Sequence, residues 1–237
     1  MRSPGESRTA SGTVGNVNSR PARPAATVVV SRPSPDSTSG FEVLLLKRSD
    51  VGAFAGMWVF PGGRVDDADA GDDEHSRARA AAVREAAEEV QVTVAIERLV
   101  TWSHWTPPES APARFTTWFF VAVLEEPVEV LIDDHEIVDH RWLAPDAALA
   151  AGLAMAPPTI VTLHELHEAG SVDAVLAGRA DPPAYVTRPA MRADGVPVLL
   201  WNGDAGYESS DADLPGARNR LVMHDGFGGE SWSYERA

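Results

Sequence analysis

The chain has 237 residues, of which 44% are hydrophobic, so we expect a sizeable core and either one domain with appendages or one domain plus a small second unit. It carries 35 Asp and Glu against 20 Lys and Arg, and this formal charge of −15 opposes nonspecific binding to nucleic acid or anionic membranes. The absence of cysteine excludes disulfide frameworks, thiolate metal sites and cysteine nucleophiles. No apolar run of membrane-spanning length and no signal-peptide core is visible, so we expect a cytoplasmic protein.

The first half of the chain predicts a leader, three strands and one long helix. Residues 1–24 are rich in Ser, Gly, Arg and Pro without periodicity, which is typical of disorder. Strands are expected at 25–30, 42–47 and 58–60, and the last runs into the turn Pro61-Gly62-Gly63. An acidic loop over 66–73 then leads to a helix that should start within 73–76 and end near Val90, because acidic residues suit the positive end of a helix dipole.

The second half predicts further strands at 92–102, 114–124 and 137–143. Helices are expected at 147–151, after Pro145, and at 158–169, ending at Gly170, with a further short element at 172–177. Residues 179–237 contain short strand-like pieces at 196–201 and 220–224, and predict a C-terminal extension that packs on the main domain of 25–178. Strands on both sides of a central helix favour an α/β (α+β) sandwich over a regular βαβ array.

Three glutamates of the long predicted helix share one face. Glu85, Glu88 and Glu89 stand at i, i+3 and i+4, while a stripe of Val and Ala side chains occupies the opposite face. Like charges on adjacent turns cost roughly a few tenths of a kcal/mol per pair, so a fold that keeps them together usually offers them a cation. Carboxylates favour hard divalent ions such as Mg²⁺ or Mn²⁺.

This helix and the turn before it resemble the Nudix box. The matching residues are Gly63 and the run Arg84-Glu85-Ala86-Ala87-Glu88-Glu89-Val90-Gln91-Val92. The resemblance covers about residues 25–143 and implies a Nudix-type α/β/α sandwich with a mixed sheet. Twenty residues separate Gly63 from Arg84, seven more than in the family pattern, so the family's spacer glutamate has only Asp69 and Glu74 as candidate equivalents. Gln91 replaces the closing glycine, and must adopt a left-handed cap at roughly 1 kcal/mol or end the helix another way.

The resemblance implies hydrolysis of a nucleoside diphosphate linked to another moiety, with Mg²⁺ or Mn²⁺ as cofactor and water attacking phosphorus. Glu88 and Glu89 are the expected metal ligands, and the carbonyl group of Gly63 is a candidate third. Glu85 either completes the coordination or takes the proton from water. Arg84, four residues before Glu88, is expected to orient a glutamate by ion pairing.

Many Nudix enzymes recruit a further acid shortly before a tryptophan, and Glu136, six residues before Trp142, fits that position. We expect it to be a supplementary ligand or base; the alternative is an exposed acid in a turn. Since hard oxygen donors suit the expected metals, His135 and His140 are assigned to the surface or to packing.

The segment Leu44-Leu45-Leu46-Lys47-Arg48-Ser49, with Gly56-Met57-Trp58-Val59-Phe60-Pro61-Gly62-Gly63, is similar to the signature of coenzyme A and acyl-CoA diphosphatases. The arginine of that signature's loop is missing here. Arg48 and Arg114 could bind phosphates or form ordinary strand-end ion pairs. Trp105 and Phe115 could stack on a base or belong to the core.

Three functions therefore stay open. CoA or acyl-CoA hydrolysis leads; ADP-ribose, NADH or another nucleotide conjugate is the rival substrate; a non-catalytic module that senses such a ligand is the alternative of another class. A small-molecule partner is expected, without nucleic acid or membrane. Residues 179–237 could line a homodimer interface, cover the pocket or do neither.

Overall fold

The computed structural model describes residues 21–52, 54–111, 114–132, 135–226 and 231–237. Within these ranges the strands are β1 Arg23–Pro33, β2 Phe41–Arg48, β3 Trp58–Val59, β4 Gly62–Arg64, β5 Val100–Thr106, β6 Phe115–Val123, β7 Ile137–Leu143, β8 Ala184–Val186, β9 Arg188–Met191, β10 Pro197–Leu200, β11 Asn219–Met223 and β12 Trp232–Arg236. The α-helices are α1 Glu74–Val90, α2 Pro145–Ala150, α3 Pro157–Ala169 and α4 Val172–Ala177.

A mixed sheet forms the centre of the molecule. Its order is β3-β2-β1-β6-β5-β8, with β4 pairing to the first part of β1 and β7 pairing to β2. The pairs β1–β6 and β5–β8 are parallel, and the other pairs of this sheet are antiparallel. Because β1 contacts both β4 and β6, it places Gly62 and Gly63 in the middle of the sheet. The turn expected at Pro61-Gly62-Gly63 needs correction, since both glycines belong to strand β4.

Helices cover both faces of this sheet, because successive side chains of a strand point to opposite faces. Val28 and Val30 of β1 pack with the alanines of α1, whereas Val29 packs with α3. The expected α/β/α sandwich with a mixed sheet is confirmed.

The C-terminal residues join this core. Strands β9 to β12 form a second, antiparallel sheet, and β8 extends the central sheet beside β5. Tyr185, Trp201 and Leu221 are buried in the same apolar cluster as α3. Within the described part of the chain, no helix combines the length and the apolar character needed to cross a lipid bilayer.

Two further local predictions need correction. The first strand begins at Arg23, so residues 23 and 24 are not part of a leader; the rest of that prediction falls on 1–20, outside the described residues. The strand expected over 92–102 starts only at Val100, after a 3₁₀ turn at Ile96–Arg98. Val92 and Val94, which alternate as in a strand, are buried beneath α1 instead.

Candidate active site

The carboxylate helix α1 is held at both ends by its caps. The Asp73 side chain accepts a hydrogen bond from the Ser76 backbone N–H at 2.7 Å, as N-cap residues do. At the other end Gln91 adopts the left-handed conformation, with φ of 55°, and its N–H bonds to the carbonyl of Ala86. The left-handed cap is therefore the one of the two expected alternatives that the chain uses.

Arg84 lies at the centre of the site and uses all five of its N–H donors. Its Nε and Nη2 donate to the two oxygens of Asp69, both at 3.0 Å. Its Nη1 donates to Glu85 at 2.8 Å and to Glu88 at 2.9 Å, and Nη2 also donates to the carbonyl of Arg64 at 2.9 Å. A guanidinium offers five donors, so none is left for a substrate. This geometry fixes carboxylates, which is the task expected of Arg84.

Asp69, one of the two candidate equivalents of the spacer glutamate, binds Arg84 from outside the helix. Asp69 is buried, and burial raises its pKa. Hydrogen bonds from Arg84 and from the Asp66 N–H lower the pKa by more than burial raises it, so it lies below its usual value. Glu74, the other candidate equivalent of the spacer glutamate, lies at the far end of α1 and accepts a hydrogen bond from Trp118 Nε1 at 3.1 Å. Of the two, Asp69 is the acid that contacts Arg84.

Glu85 packs directly against Gly63. A Cβ on Gly63 would clash with Glu85 Oε1, so any larger residue there would require the Glu85 carboxylate to move. The Glu85 side chain is 15% exposed, and burial raises its pKa, with Arg84 opposing that shift. Gly63 thus leaves free the space that the Glu85 carboxylate occupies.

Glu89 lies one helical turn after Glu85 and contacts the same strand, β4. Its Oε2 accepts a hydrogen bond from the Gly62 N–H at 2.9 Å, and its side chain is 12% exposed. Burial, with the neighbouring charges of Glu85 and Glu136, raises the pKa of Glu89 to about 8.

Arg48 and Glu136 complete the cluster from outside the helix. Arg48 Nη2 donates to Glu136 Oε1, and Arg48 Nη1 lies 3.9 Å from Glu89 Oε1. Glu136 lies immediately before β7, and its carbonyl accepts from the Ser49 N–H at 2.8 Å. The fold therefore brings Glu136 next to the glutamates of α1, although Glu136 and its partner Arg48 are 88 residues apart in the sequence.

The donor set suits a hard divalent cation. Glu85 and Glu89 present carboxylate oxygens beside Gly62 and Gly63 of β4, and both have raised pKa values, so a bound cation would favour their ionised forms. Among the described residues no group of three Asp, Glu, His or Cys side chains is assembled as a metal site, and Arg84 bonds to both Glu85 and Glu88. Glu88, 59% exposed, is the most exposed of the three helix glutamates.

The candidate substrate-binding residues Trp105, Phe115 and Arg114 lie on or next to β5 and β6. Trp105 is 3% exposed and its ring stacks on Tyr185 at 4.2 Å, so the structure places it in the core. Phe115 is half-buried at the start of β6, opposite Arg23, and Arg114 precedes it with its carbonyl bonded to the Arg23 N–H at 2.9 Å. Both are separated from Gly63 by β1.

Comparison with known proteins finds similarity in both sequence and fold. The chain is 27% identical over 168 residues to "Putative nudix hydrolase 7" of Caenorhabditis elegans; the match covers 53% of this chain and 56% of the relative. A NUDIX hydrolase structure from Alicyclobacillus acidocaldarius superposes with a TM-score of 0.58 at 22% identity, covering 66% of this chain and 96% of that one. The NUDIX domain of Shewanella oneidensis NrtR, complexed with ADP ribose, has a TM-score of 0.49 at 16% identity over 65% and 93% of the two chains.

A protein-family model also matches the chain. The model described as NUDIX domain matches residues 21–163, which include every residue of the carboxylate cluster. The chain belongs to the NUDIX domain family.

Proposed function

We propose that the protein is a metal-dependent pyrophosphohydrolase that cleaves a nucleoside-diphosphate-linked substrate by attack of water at phosphorus. The observation that carries this proposal is the placement of Glu85 and Glu89 against Gly62 and Gly63 of β4, with Arg84 holding the acids of the helix. A solvated helix face would leave these acids exposed and separately hydrated. Here two of them are partly buried and face the same strand.

Each residue has a task in this proposal. Glu85, Glu88, Glu89 and the Gly63 carbonyl would hold Mg²⁺ or Mn²⁺, which when bound neutralises the diphosphate and makes water a better nucleophile. Either Glu85 or Glu136 accepts the proton of the attacking water. Glu85 is fixed by Arg84 and lies against Gly63, whereas Glu136 lies at the open edge of the cluster. Arg84 orients these carboxylates and does not touch the substrate.

For the substrate we propose CoA or an acyl-CoA. The support is the similarity of residues 44–49 and 56–63 to the CoA diphosphatase signature. These two segments are paired in the fold, since the Arg48 N–H bonds to the Met57 carbonyl at 3.0 Å and the Gly56 N–H to the Ser49 carbonyl at 3.1 Å. The loop between them therefore begins and ends at the carboxylate cluster. We also propose that the enzyme is cytoplasmic and forms a homodimer. Its partner is then a small-molecule substrate, and it binds neither nucleic acid nor membranes.

Turnover of CoA, acetyl-CoA, ADP-ribose and NADH with added Mg²⁺ or Mn²⁺ tests the proposal. We expect fastest cleavage of CoA or acetyl-CoA, releasing 3′,5′-ADP. Glu88→Gln should lower kcat/KM by orders of magnitude while the protein stays folded, because the variant loses a negatively charged ligand. Glu97→Gln, at an exposed glutamate of the 3₁₀ turn, is the matched control and should keep full activity.

Faster cleavage of ADP-ribose or NADH would refute the CoA assignment but keep the reaction. Tight binding of a conjugate without hydrolysis would refute the enzyme and support a sensing module. Full activity of Glu88→Gln would refute its role as a ligand.

A further inference from the structure

Arg48 is placed differently from a phosphate-binding arginine. Its side chain is 14% exposed, and both of its Nη atoms point to carboxylates, Nη2 to Glu136 and Nη1 to Glu89. Its Nε–H is buried and has no hydrogen-bond partner among the described residues, so it cannot reach a ligand. The guanidinium is thus directed inward, although phosphate binding needs donors directed at the substrate.

The backbone explains how Arg48 reaches these acids. Strand β2 pairs with β7, and the register shifts between Lys47 and Arg48, so that Lys47 faces Asp139 while Arg48 faces Ile137. Such a bulge re-aims the side chain that follows it. The Ser49 N–H then bonds to the Glu136 carbonyl, which places Glu136 beside the end of β2.

Glu136 joins the cluster from outside the helix. Its side chain is 56% exposed, and it does not lie on α1, which carries Glu85, Glu88 and Glu89. An exposed glutamate loses considerable side-chain freedom when it is held in one position, so charged contacts help to keep it there. Arg48 supplies such a contact to Glu136 and also contacts Glu89.

We infer that Arg48 is a positioning residue, which holds the Glu136 carboxylate next to Glu89 so that Glu136 acts in the hydrolytic step. This inference rests on the proposed function and replaces the phosphate-binding role that the sequence suggested for Arg48. Arg48 acts through Glu136 and not on the substrate.

A double-mutant cycle on the full chain separates the two roles. We expect Arg48→Ala and Glu136→Gln each to lower kcat roughly 10- to 100-fold with little change in KM, and the double variant to be no worse than the poorer single variant. Arg48→Lys should not restore kcat, because one ammonium cannot replace the forked contact to two carboxylates. Direct phosphate binding predicts instead a raised KM, multiplicative effects in the double variant and rescue by lysine; any of these results would overturn the inference.

A second readout does not depend on substrate or metal. Urea unfolding of the same four proteins should show non-additive midpoints, because the pair exists in the folded chain; additive midpoints would overturn the inference. If the wild type cleaved no substrate, the proposed function would fail while this cycle still decided whether Arg48 holds Glu136. The pair Arg32–Glu42, 2.9 Å apart on β1 and β2, is the matched control: its cycle should show coupling in stability and none in kcat.

Discussion

Glu89 lies where a negative charge is costly. Its side chain is only 12% exposed beside Gly62 of β4, and Glu85 and Glu136 add like charge, so its pKa is raised to about 8. The Gly62 N–H and Arg48 oppose this shift but do not cancel it. The neutral carboxylic acid is therefore the preferred form at neutral pH when no cation is bound.

This raised pKa predicts a pH dependence of stability in the absence of divalent ions. A carboxyl whose folded pKa exceeds its unfolded value binds more protons in the folded state, so its stabilising contribution is complete below the ordinary value of 4.5 and is lost as pH rises through about 8. We expect the free energy of unfolding to fall over this window by at most roughly 1.4 kcal/mol per pH unit from this group. Urea unfolding with a chelator, at several pH values, measures it.

The Glu89→Gln variant isolates the contribution of this carboxyl, since glutamine keeps the shape and cannot titrate. The difference in unfolding free energy between wild type and variant should change steadily from pH 4.5 to 8. Adding Mn²⁺ should restore wild-type stability at high pH, because the cation binds the deprotonated form. A constant difference across this range would contradict the raised pKa.

At the scale of elements, helix α1 ends in a conformation that its last residue does not favour. Gln91 has φ of 55°, in the left-handed region where a side chain meets steric repulsion. Helix α3 ends in the same region, but with Gly170 at φ of 71°. Two helices of one protein thus use the same cap with different residues.

We expect Gln91→Gly to raise the free energy of unfolding by up to about 1 kcal/mol without changing kcat, because glycine tolerates this conformation. The reciprocal control, Gly170→Ala, should lower stability by a similar amount, since the added Cβ meets no atom closer than 3.8 Å and only backbone strain is introduced. Thermal or urea unfolding measures both. A destabilised Gln91→Gly protein would show that the glutamine side chain makes a stabilising contact.

Sequence patterns predicted the elements that carry their own signals. Helix α1 has an acidic N-cap and an apolar stripe, and β7 was placed within its observed bounds. The segment at 92–99 was assigned wrongly, because burial under a helix and burial in a sheet produce the same alternation of valines. Strands β8, β9 and β12 were missed, since short strands are defined by their pairing partners and not by local propensity.

At the site too, local patterns predict local contacts and miss distant ones. Helical spacing predicts that Arg84 lies beside the helix glutamates, and it bonds to Glu85 and Glu88. The Gly62 N–H bond to Glu89 and the Arg48–Glu136 pair join residues 27 and 88 positions apart, so no local pattern could reveal them. Trp105 shows the opposite failure: an aromatic residue suits a base or a core equally, and only the fold distinguishes them.

On the scale of the whole molecule, Glu165 connects the sheet to the C-terminal residues. Its carboxylate is completely buried, and it accepts hydrogen bonds from Trp102 Nε1 at 3.0 Å, from Arg179 Nη1 at 3.0 Å and from the Tyr185 hydroxyl group. Arg236 of the last strand lies 4.0 Å away. One side chain of α3 thus joins β5, β8 and β12.

We expect Glu165→Gln to lower the free energy of unfolding by roughly 3 kcal/mol, because removing one member of a buried ionic network leaves its partners uncompensated. Glu168→Gln is the matched control: it also pairs with Arg236, at 3.2 Å, but is exposed, so its loss should cost less than about 1 kcal/mol. Urea unfolding followed by tryptophan fluorescence reports both. Equal effects would show that Glu165 does not tie the C-terminal strands to the sheet.

The two arginines of the site also set its charge. Among the described residues, Arg84 pairs with Asp66, Asp69, Glu85 and Glu88, while Arg48 pairs with Glu89 and Glu136. With Glu89 protonated and the other five acids ionised, five negative charges face two positive ones, inside a protein of formal charge −15. A diphosphate approaching alone would be repelled. On the proposed function, binding is therefore ordered: the cation enters first and turns a site that rejects anions into one that attracts them.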